Sequence, residues 1–253
     1  MNLELREEGG FKYYETKGGE TNVLLLHGLL GALSNFTGII NKFAETHNVI
    51  FPLLPIFEMP LRKVSVSGLV DHIVEFINYK DLTDLHVIGN SLGGHIAILY
   101  AMSEPGRIKS VTLTGSSGLF ESAMGTSFPK RGDYEYMKKK VEDTFYDPAV
   151  ATKELVDDIF ATVNDRNMAI RIIATAKSAV RHNLGEKLHT IKAPTLLIWG
   201  NQDKVTPPFV GEKFNELIEN SELHFIDKCG HAPMMERPEE FNVILEGFLN
   251  SLS

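Results

Sequence analysis

A serine alcohol, an imidazole and a carboxylate are the three groups that hydrolyse an acyl compound in neutral water, and this chain offers one of each where a strand should end. Ser91 stands in Gly89-Asn90-Ser91-Leu92-Gly93. The apolar run 85–88 before it reads as a buried strand, and 92–102 after it reads as a helix. A strand that turns at once into a helix strains the serine backbone and crowds the positions two before and two after it. Glycine at 89 and 93 removes the side chains that would collide. Asp203 follows the run 196–199, within Gly200-Asn201-Gln202-Asp203-Lys204-Val205-Thr206-Pro207, and His231 follows the run 223–226, within Cys229-Gly230-His231-Ala232-Pro233. A serine hydroxyl is a weak acid, so a neutral imidazole must take its proton and a carboxylate must hold the imidazole's tautomer. Taken singly, each residue has a plainer reading. Ser91 fits an ordinary strand-to-helix turn, Asp203 a turn cap ahead of Thr206, and His231 a loop histidine bonding backbone. Three strand ends carrying the right groups favour the joint reading.

A tetrahedral oxyanion needs two N–H donors, one from the residue after the nucleophile and one from an earlier strand's exit loop. Leu92 and Leu29, the latter in His27-Gly28-Leu29, fill those places through their backbone, with Gly28 allowing close approach and His27 supporting the loop. His95, one turn into the nucleophile helix, reads as a satisfied core or cap-facing residue. The other histidines form no group, and neither a His-Glu-x-x-His nor a Cys-x-x-Cys spacing occurs, so no metal site is expected. Without a Gly-x-Gly-x-x-Gly after a strand, no dinucleotide or other cofactor is expected either. Cys229 reads as a small buried residue beside the His231 loop.

The elements that must position these groups alternate between strand and helix. Apolar runs at 23–26, 49–51, 85–88, 111–114, 195–199 and 223–226 read as strands, with an aromatic, half-exposed strand at 11–16. Helical spacing covers 67–78, 92–102, 210–218 and 238–249. Repeated strand–helix order with continuous apolar strands predicts an α/β fold built on a doubly wound, mostly parallel sheet, whose reactive groups gather at the carboxyl ends of its strands. The alternation pauses after Thr114. Residues 115–190 carry three polar, helix-like stretches at 134–144, 152–163 and 168–181, expected as a helical cap inserted into a core made of 1–114 and 191–253. Phe57, Met59, Leu119, Phe120, Met124 and Phe128 are candidates for an apolar cap wall and equally for ordinary core. Lys138-Lys139-Lys140 reads as a solvated helix face.

At 253 residues, with 43% hydrophobic and 23% charged content, the chain has the makings of an ordinary globular domain. A formal net charge of −8 argues against a nucleic-acid or anionic-membrane surface. The N-terminus lacks a signal peptide's basic start and apolar core, and no apolar run is long enough to cross a bilayer. One cysteine excludes an intrachain disulfide. A cytoplasmic location is the expectation, and a small-molecule substrate the expected partner. Composition leaves the oligomeric state open.

The order Ser, Asp, His along the chain is that of the α/β-hydrolases, and the chain resembles that family over nearly its whole length. Within it the chain is most similar to the meta-cleavage-product hydrolases, which split carbon–carbon bonds of vinylogous diketones. The likeness rests on Gly89-Asn90-Ser91-Leu92-Gly93-Gly94-His95, Ser34-Asn35-Phe36, Asp227-Lys228-Cys229-Gly230-His231, Glu239-Glu240-Phe241-Asn242 and Phe145-Tyr146-Asp147-Pro148. The resemblance implies that Asn35 and Asn90 sit beside substrate oxygens. Four features depart from that branch. Ala232 stands where it has tryptophan, and 155–160 offers acids and isoleucine where it has a cap arginine, leaving Arg166, Arg171 or Arg181 as substitutes. The loop after Gly28 is Leu-Leu-Gly, and 53–58 lacks the usual glycine-rich turn. The motifs therefore favour a carboxylesterase acting on small-to-medium acyl esters. The alternatives are carbon–carbon hydrolysis by the same residues, or a small-molecule receptor with vestigial turnover.

Overall fold

A computed structural model of the chain describes residues 3–121 and 131–252. Met124 and Phe128, two of the candidate wall residues, lie outside the described residues. Eight strands, β1 (Arg6–Glu8), β2 (Phe11–Glu15), β3 (Asn22–Leu26), β4 (Asn48–Pro52), β5 (Leu85–Asn90), β6 (Ile108–Thr114), β7 (Thr195–Gly200) and β8 (Ser221–Ile226), form one sheet in the order β1-β2-β4-β3-β5-β6-β7-β8. β1 and β2 pair antiparallel and form one edge, and every pairing from β3–β4 to β7–β8 is parallel. The expected mostly parallel sheet is what forms.

The apolar runs are continuous because both faces of the sheet are covered. Along β3, Leu24 and Leu26 point into one core with Ile73 and Phe76 of α2 (Val66–Tyr79), while Val23 and Leu25 point into the other with Ile39 and Ile40 of α1 (Thr37–Phe43). Helix α3 (Leu92–Ser103) carries no polar face, since it is buried almost all round.

Between β6 and β7 the chain leaves the sheet and makes α4 (Tyr134–Glu142), α5 (Lys153–Asn164) and α6 (Arg166–Arg181). Asp133, Thr152 and Asp165 cap these helices through side-chain oxygens that accept backbone N–H groups. The three form the inserted cap, with Met137, Val163 and Ile172 meeting in a small core of their own against Leu29 and Leu30 of the sheet domain. The sheet then resumes, accompanied by α7 (Pro208–Leu217), the four-residue α8 (Pro233–Glu236) and α9 (Pro238–Ser251).

Candidate active site

β5 ends at Asn90, and Ser91 is the pivot into α3, held at φ +54°, ψ −118°. Its N–H donates to Thr114 O on the neighbouring strand at 3.1 Å, and its own carbonyl accepts from Ser117 N–H at 3.1 Å. The steric argument for the flanking glycines holds. A Cβ at 89 would lie 2.5 Å from Gly93 O, and one at 93 would lie 2.0 Å from Leu26 O. Gly28 is different: a Cβ there would meet Ser91 Cβ at 3.4 Å, an ordinary contact, so close backbone approach is not why glycine stands at 28.

His231 reaches the same place from the loop after β8. It is buried, with Nδ1 2.9 Å from Asp203 Oδ2. Burial alone would lower the imidazole's pKa. The negative charge and hydrogen bond of Asp203, helped by Glu121 and Glu236, outweigh it and hold the pKa above the usual histidine value. With Nδ1–H donated to Asp203, Nε2 keeps its lone pair, the tautomer a general base requires. Asp203 is itself fixed on all sides. Its Oδ1 accepts Val205 and Thr206 N–H at 2.8 and 3.0 Å, and its Oδ2 accepts the Thr206 hydroxyl at 2.8 Å. Gly230 N–H donates to Glu236 Oε1 at 2.7 Å, and His231 N–H donates to Thr144 O in the cap at 2.9 Å, so the histidine loop is tied to the cap.

Ser91 and His231 both border a cavity of about 320 Å³ under the cap. Its floor includes Leu29 and Asn90, and its roof is Met137 and Val141 of α4, Leu155, Ile159 and Val163 of α5, and Ile172 of α6. Leu29 and Leu92 also border a cleft beside Ser91, shared with Ser117 and Glu121. Leu92 opens α3, so helix geometry leaves its N–H without an intrahelical acceptor. Burial raises the Glu121 carboxyl above the usual carboxylate range, against a hydrogen bond from Ser117. Glu121 had not been singled out from sequence, since nothing in its spacing distinguishes it from a solvated acid.

Asn35 and Asn90 both border the cavity, but each already has structural work. Asn35 Oδ1 accepts Ala32 N–H at 3.2 Å, and Asn90 Nδ2 donates to Thr114 O and His231 O at 3.0 and 3.2 Å. His27 does support its loop. Nε2 accepts Leu54 N–H at 3.0 Å, so Nδ1–H donates to Gly28 O at 2.7 Å, and burial pulls its pKa down to about 4. His95 is a buried core histidine, its Nδ1 3.3 Å from the Ser117 hydroxyl and its ring 5.4 Å from that of His182, and burial pulls its pKa down to about 3. Cys229 is fully buried and its thiol is pushed up by burial, as a core residue's would be.

Of the two readings open for the described cap-wall candidates, wall or core, the core one fits most of them. Phe57 borders a neighbouring cavity of about 460 Å³, Met59 and Leu119 pack against the sheet core, and Phe120 is half-exposed against Phe209 at 5.4 Å. The residues that roof the Ser91 cavity are four apart on α4 (Met137, Val141) and α5 (Leu155, Ile159, Val163), a stripe the sequence does carry. None of the three candidate arginines borders the cavity: Arg171 donates to Met59 O and Arg181 Nε to Lys177 O at 3.0 Å, while Arg166 is exposed. Among the described residues, no three His, Cys, Asp or Glu side chains are grouped to hold a metal, and no helix is long and apolar enough to cross a membrane.

Comparison with known proteins shows what the chain as a whole is similar to. A 2-hydroxy-6-oxononadienedioate/2-hydroxy-6-oxononatrienedioate hydrolase from Paraburkholderia phymatum is 29% identical, over 96% of this chain and 93% of the relative. A monoacylglycerol lipase from Xenopus laevis is 26% identical over 100% of this chain and 83% of its own length. Among solved structures, an alpha/beta hydrolase enzyme from a sediment metagenome of the Mar Chica lagoon, Morocco, is 40% identical with a TM-score of 0.81, covering 98% of each chain. Residues 23–243 match the model of the alpha/beta hydrolase family, and the chain belongs to that family.

Proposed function

We propose that the protein is a serine hydrolase in which Ser91, His231 and Asp203 cleave a bond to a carbonyl carbon. The observation that carries this reading is that Ser91 and His231 border one apolar cavity while His231 Nδ1 is bonded to a fully engaged carboxylate. His231 Nε2 takes the Ser91 proton as the oxygen adds to the carbonyl. The N–H groups of Leu29 and Leu92 hold the resulting oxyanion, and the same proton passes to the leaving group. Water then repeats the cycle and releases the acid. Asn35 and Asn90 line the substrate's path.

Of the two bonds, the carbon–carbon bond of a meta-cleavage product is the better supported. The P. phymatum relative bears that name and is alike over nearly the whole of both chains. This reverses the order expected from motifs alone. Ester hydrolysis is the second reading, favoured by the cavity: Ala232 borders it, and no arginine does so among the described residues. Wild-type and Ser91→Ala protein are assayed on a ring-cleavage dienoate and on 4-nitrophenyl butyrate. Turnover of either substrate that falls by on the order of a thousandfold or more in Ser91→Ala supports the reading and identifies the bond. Turnover that survives the substitution overturns it.

A further inference from the structure

Two spaces of unequal size meet at Ser91. One is the apolar cavity of about 320 Å³, which His231 also borders. The other is the cleft of about 10 Å³ walled by Ser117, Glu121 and, from α6, Thr175, Ala176 and Ala179; His231 is not among its described lining residues. A cleft of that size has room for about one water-sized group. The division is chemical as well as steric. When the tetrahedral species collapses, the proton on His231 Nε2 must pass to the departing atom, so the leaving group has to lie on the His231 side. That side is the large cavity, and the acyl substituent is left with the cleft. The cleft's polar groups favour a ligand that donates. Ser117 N–H donates to Ser91 O at 3.1 Å, which fixes this loop against the nucleophile, and the Ser117 hydroxyl is hydrogen-bonded to the Glu121 carboxyl. That bond takes up one acceptor site of the several a carboxyl group has. Thr175 is buried and its hydroxyl donates to Arg171 O at 2.9 Å, so its oxygen is left to accept.

We propose that the cleft receives the acyl side of the substrate, and that Glu121 selects short acyl groups whose second carbon bears a hydrogen-bond donor, of which the 2-hydroxyacyl group is the type. The proposal rests on the hydrolase reading, and holds whichever bond is broken, since the fragment that stays on Ser91 is an acyl group in both cases. A hydroxyl on the second carbon is the water-sized group that the cleft accommodates. A methyl in its place would desolvate the Glu121 and Thr175 oxygens without giving them a donor. The apolar bulk of the substrate then belongs to the leaving group, in the cavity roofed by the cap.

Benzyl esters hold the leaving group constant while the acyl side is varied. Wild-type protein is expected to favour the propionate over the hexanoate by about tenfold or more in kcat/KM. Glycolate and propionate carry acyl groups of nearly equal size and differ in a hydroxyl against a methyl; their intrinsic reactivities cancel when one ratio is compared between proteins. The glycolate-to-propionate ratio of kcat/KM should be about fivefold or more higher in the wild type than in Glu121→Leu, the worth of one hydrogen bond. Glu121→Ala, which enlarges the cleft, should raise the hexanoate-to-propionate ratio and also lose the glycolate preference. Fluorophosphonate labelling of Ser91 shows which variants keep a folded site, and Glu121→Ala carries the comparison if Glu121→Leu does not label. A glycolate-to-propionate ratio unchanged by the substitution, or a hexanoate hydrolysed as well as the propionate by the wild type, overturns the proposal. If no ester is turned over, the same esters compete against the label, and protection reads the same ratios. Failure of the label to reach Ser91 in the wild type would instead overturn the hydrolase reading, and the assignment of Glu121 with it.

Discussion

His231 Nδ1 and Asp203 Oδ2 lie 2.9 Å apart, and the carboxylate that orients the imidazole is also the group that closes its own loop. Oδ2 faces the histidine and Oδ1 gathers the N–H groups of Val205 and Thr206, so one side chain is at once a turn cap and an orienter. The turn-cap reading of Asp203 and its contact with His231 are therefore compatible in one side chain.

That double role separates two substitutions. Asparagine at 203 can keep an oxygen on the turn, but its amide N–H₂ then faces Nδ1 and favours the tautomer with the proton on Nε2, which cannot act as a base. Asp203→Asn should therefore lower kcat on the order of 10³–10⁴-fold with little change in stability. Asp203→Ala also strands the two loop N–H groups and should cost about 1–3 kcal/mol in addition. Trp199, the chain's single tryptophan, donates its indole N–H to Thr206 O at 2.8 Å and reports on this loop. Urea titration followed by its fluorescence, beside steady-state kinetics, measures both quantities. Equal stability losses in the two variants would contradict the division of labour.

The pH profile follows from the charges around His231. Its pKa is held above 6.5, and the imidazole must be neutral to accept the Ser91 proton. Activity should thus rise with pH along a limb centred above 6.5. Glu121 contributes to that rise as a negative charge beside His231. Glu121→Gln removes the charge, makes the imidazolium easier to deprotonate and should move the limb to lower pH by a fraction of a unit. The profile of kcat/KM for wild type and variant checks the sign. A limb that stays put or moves upward would contradict it.

The positions of Ser91, Asp203 and His231 were legible because strand ends, turn glycines and chain order are local signals. So was the sheet: a strand covered on both faces must be apolar throughout, as 23–26 and 195–199 are. Less was legible where packing decides. β1 (Arg6–Glu8) is three polar residues at an edge, and only its pairing with β2 makes it a strand. α1 is seven residues with a glycine at its second position, too short and too broken to announce itself by period. The cavity roof was readable as the stripes Met137–Val141 and Leu155–Ile159–Val163. Which stripe faces a cavity and which a core, however, depends on how three helices lie over the sheet, and sequence left Phe57 and Met59 open between wall and core for that reason. The antiparallel edge is likewise a tertiary fact.

The last relationship concerns how the cap and the histidine loop stay in register. Glu236, in α8, accepts Gly230 N–H on Oε1 at 2.7 Å, and accepts Tyr146 and Asp147 N–H on Oε2 at 2.7 and 3.3 Å. One carboxylate thus joins the residue before His231 to the cap segment after α4. A glutamine has a single acceptor oxygen, so Glu236→Gln must leave one side of this junction facing an N–H₂ group and should cost about 1–3 kcal/mol. The bond of Asp203 to His231 is untouched, so the limb of the pH profile should shift only by the loss of one distant negative charge, downward. What should change is the placing of His231 relative to Ser91, which lowers kcat more than it raises KM. Glu236→Ala loses both sides of the junction and should be the less stable of the two. Stability by Trp199 fluorescence and separate kcat and KM values decide the matter. A loss confined to KM would mean that Glu236 shapes the cavity without positioning the base.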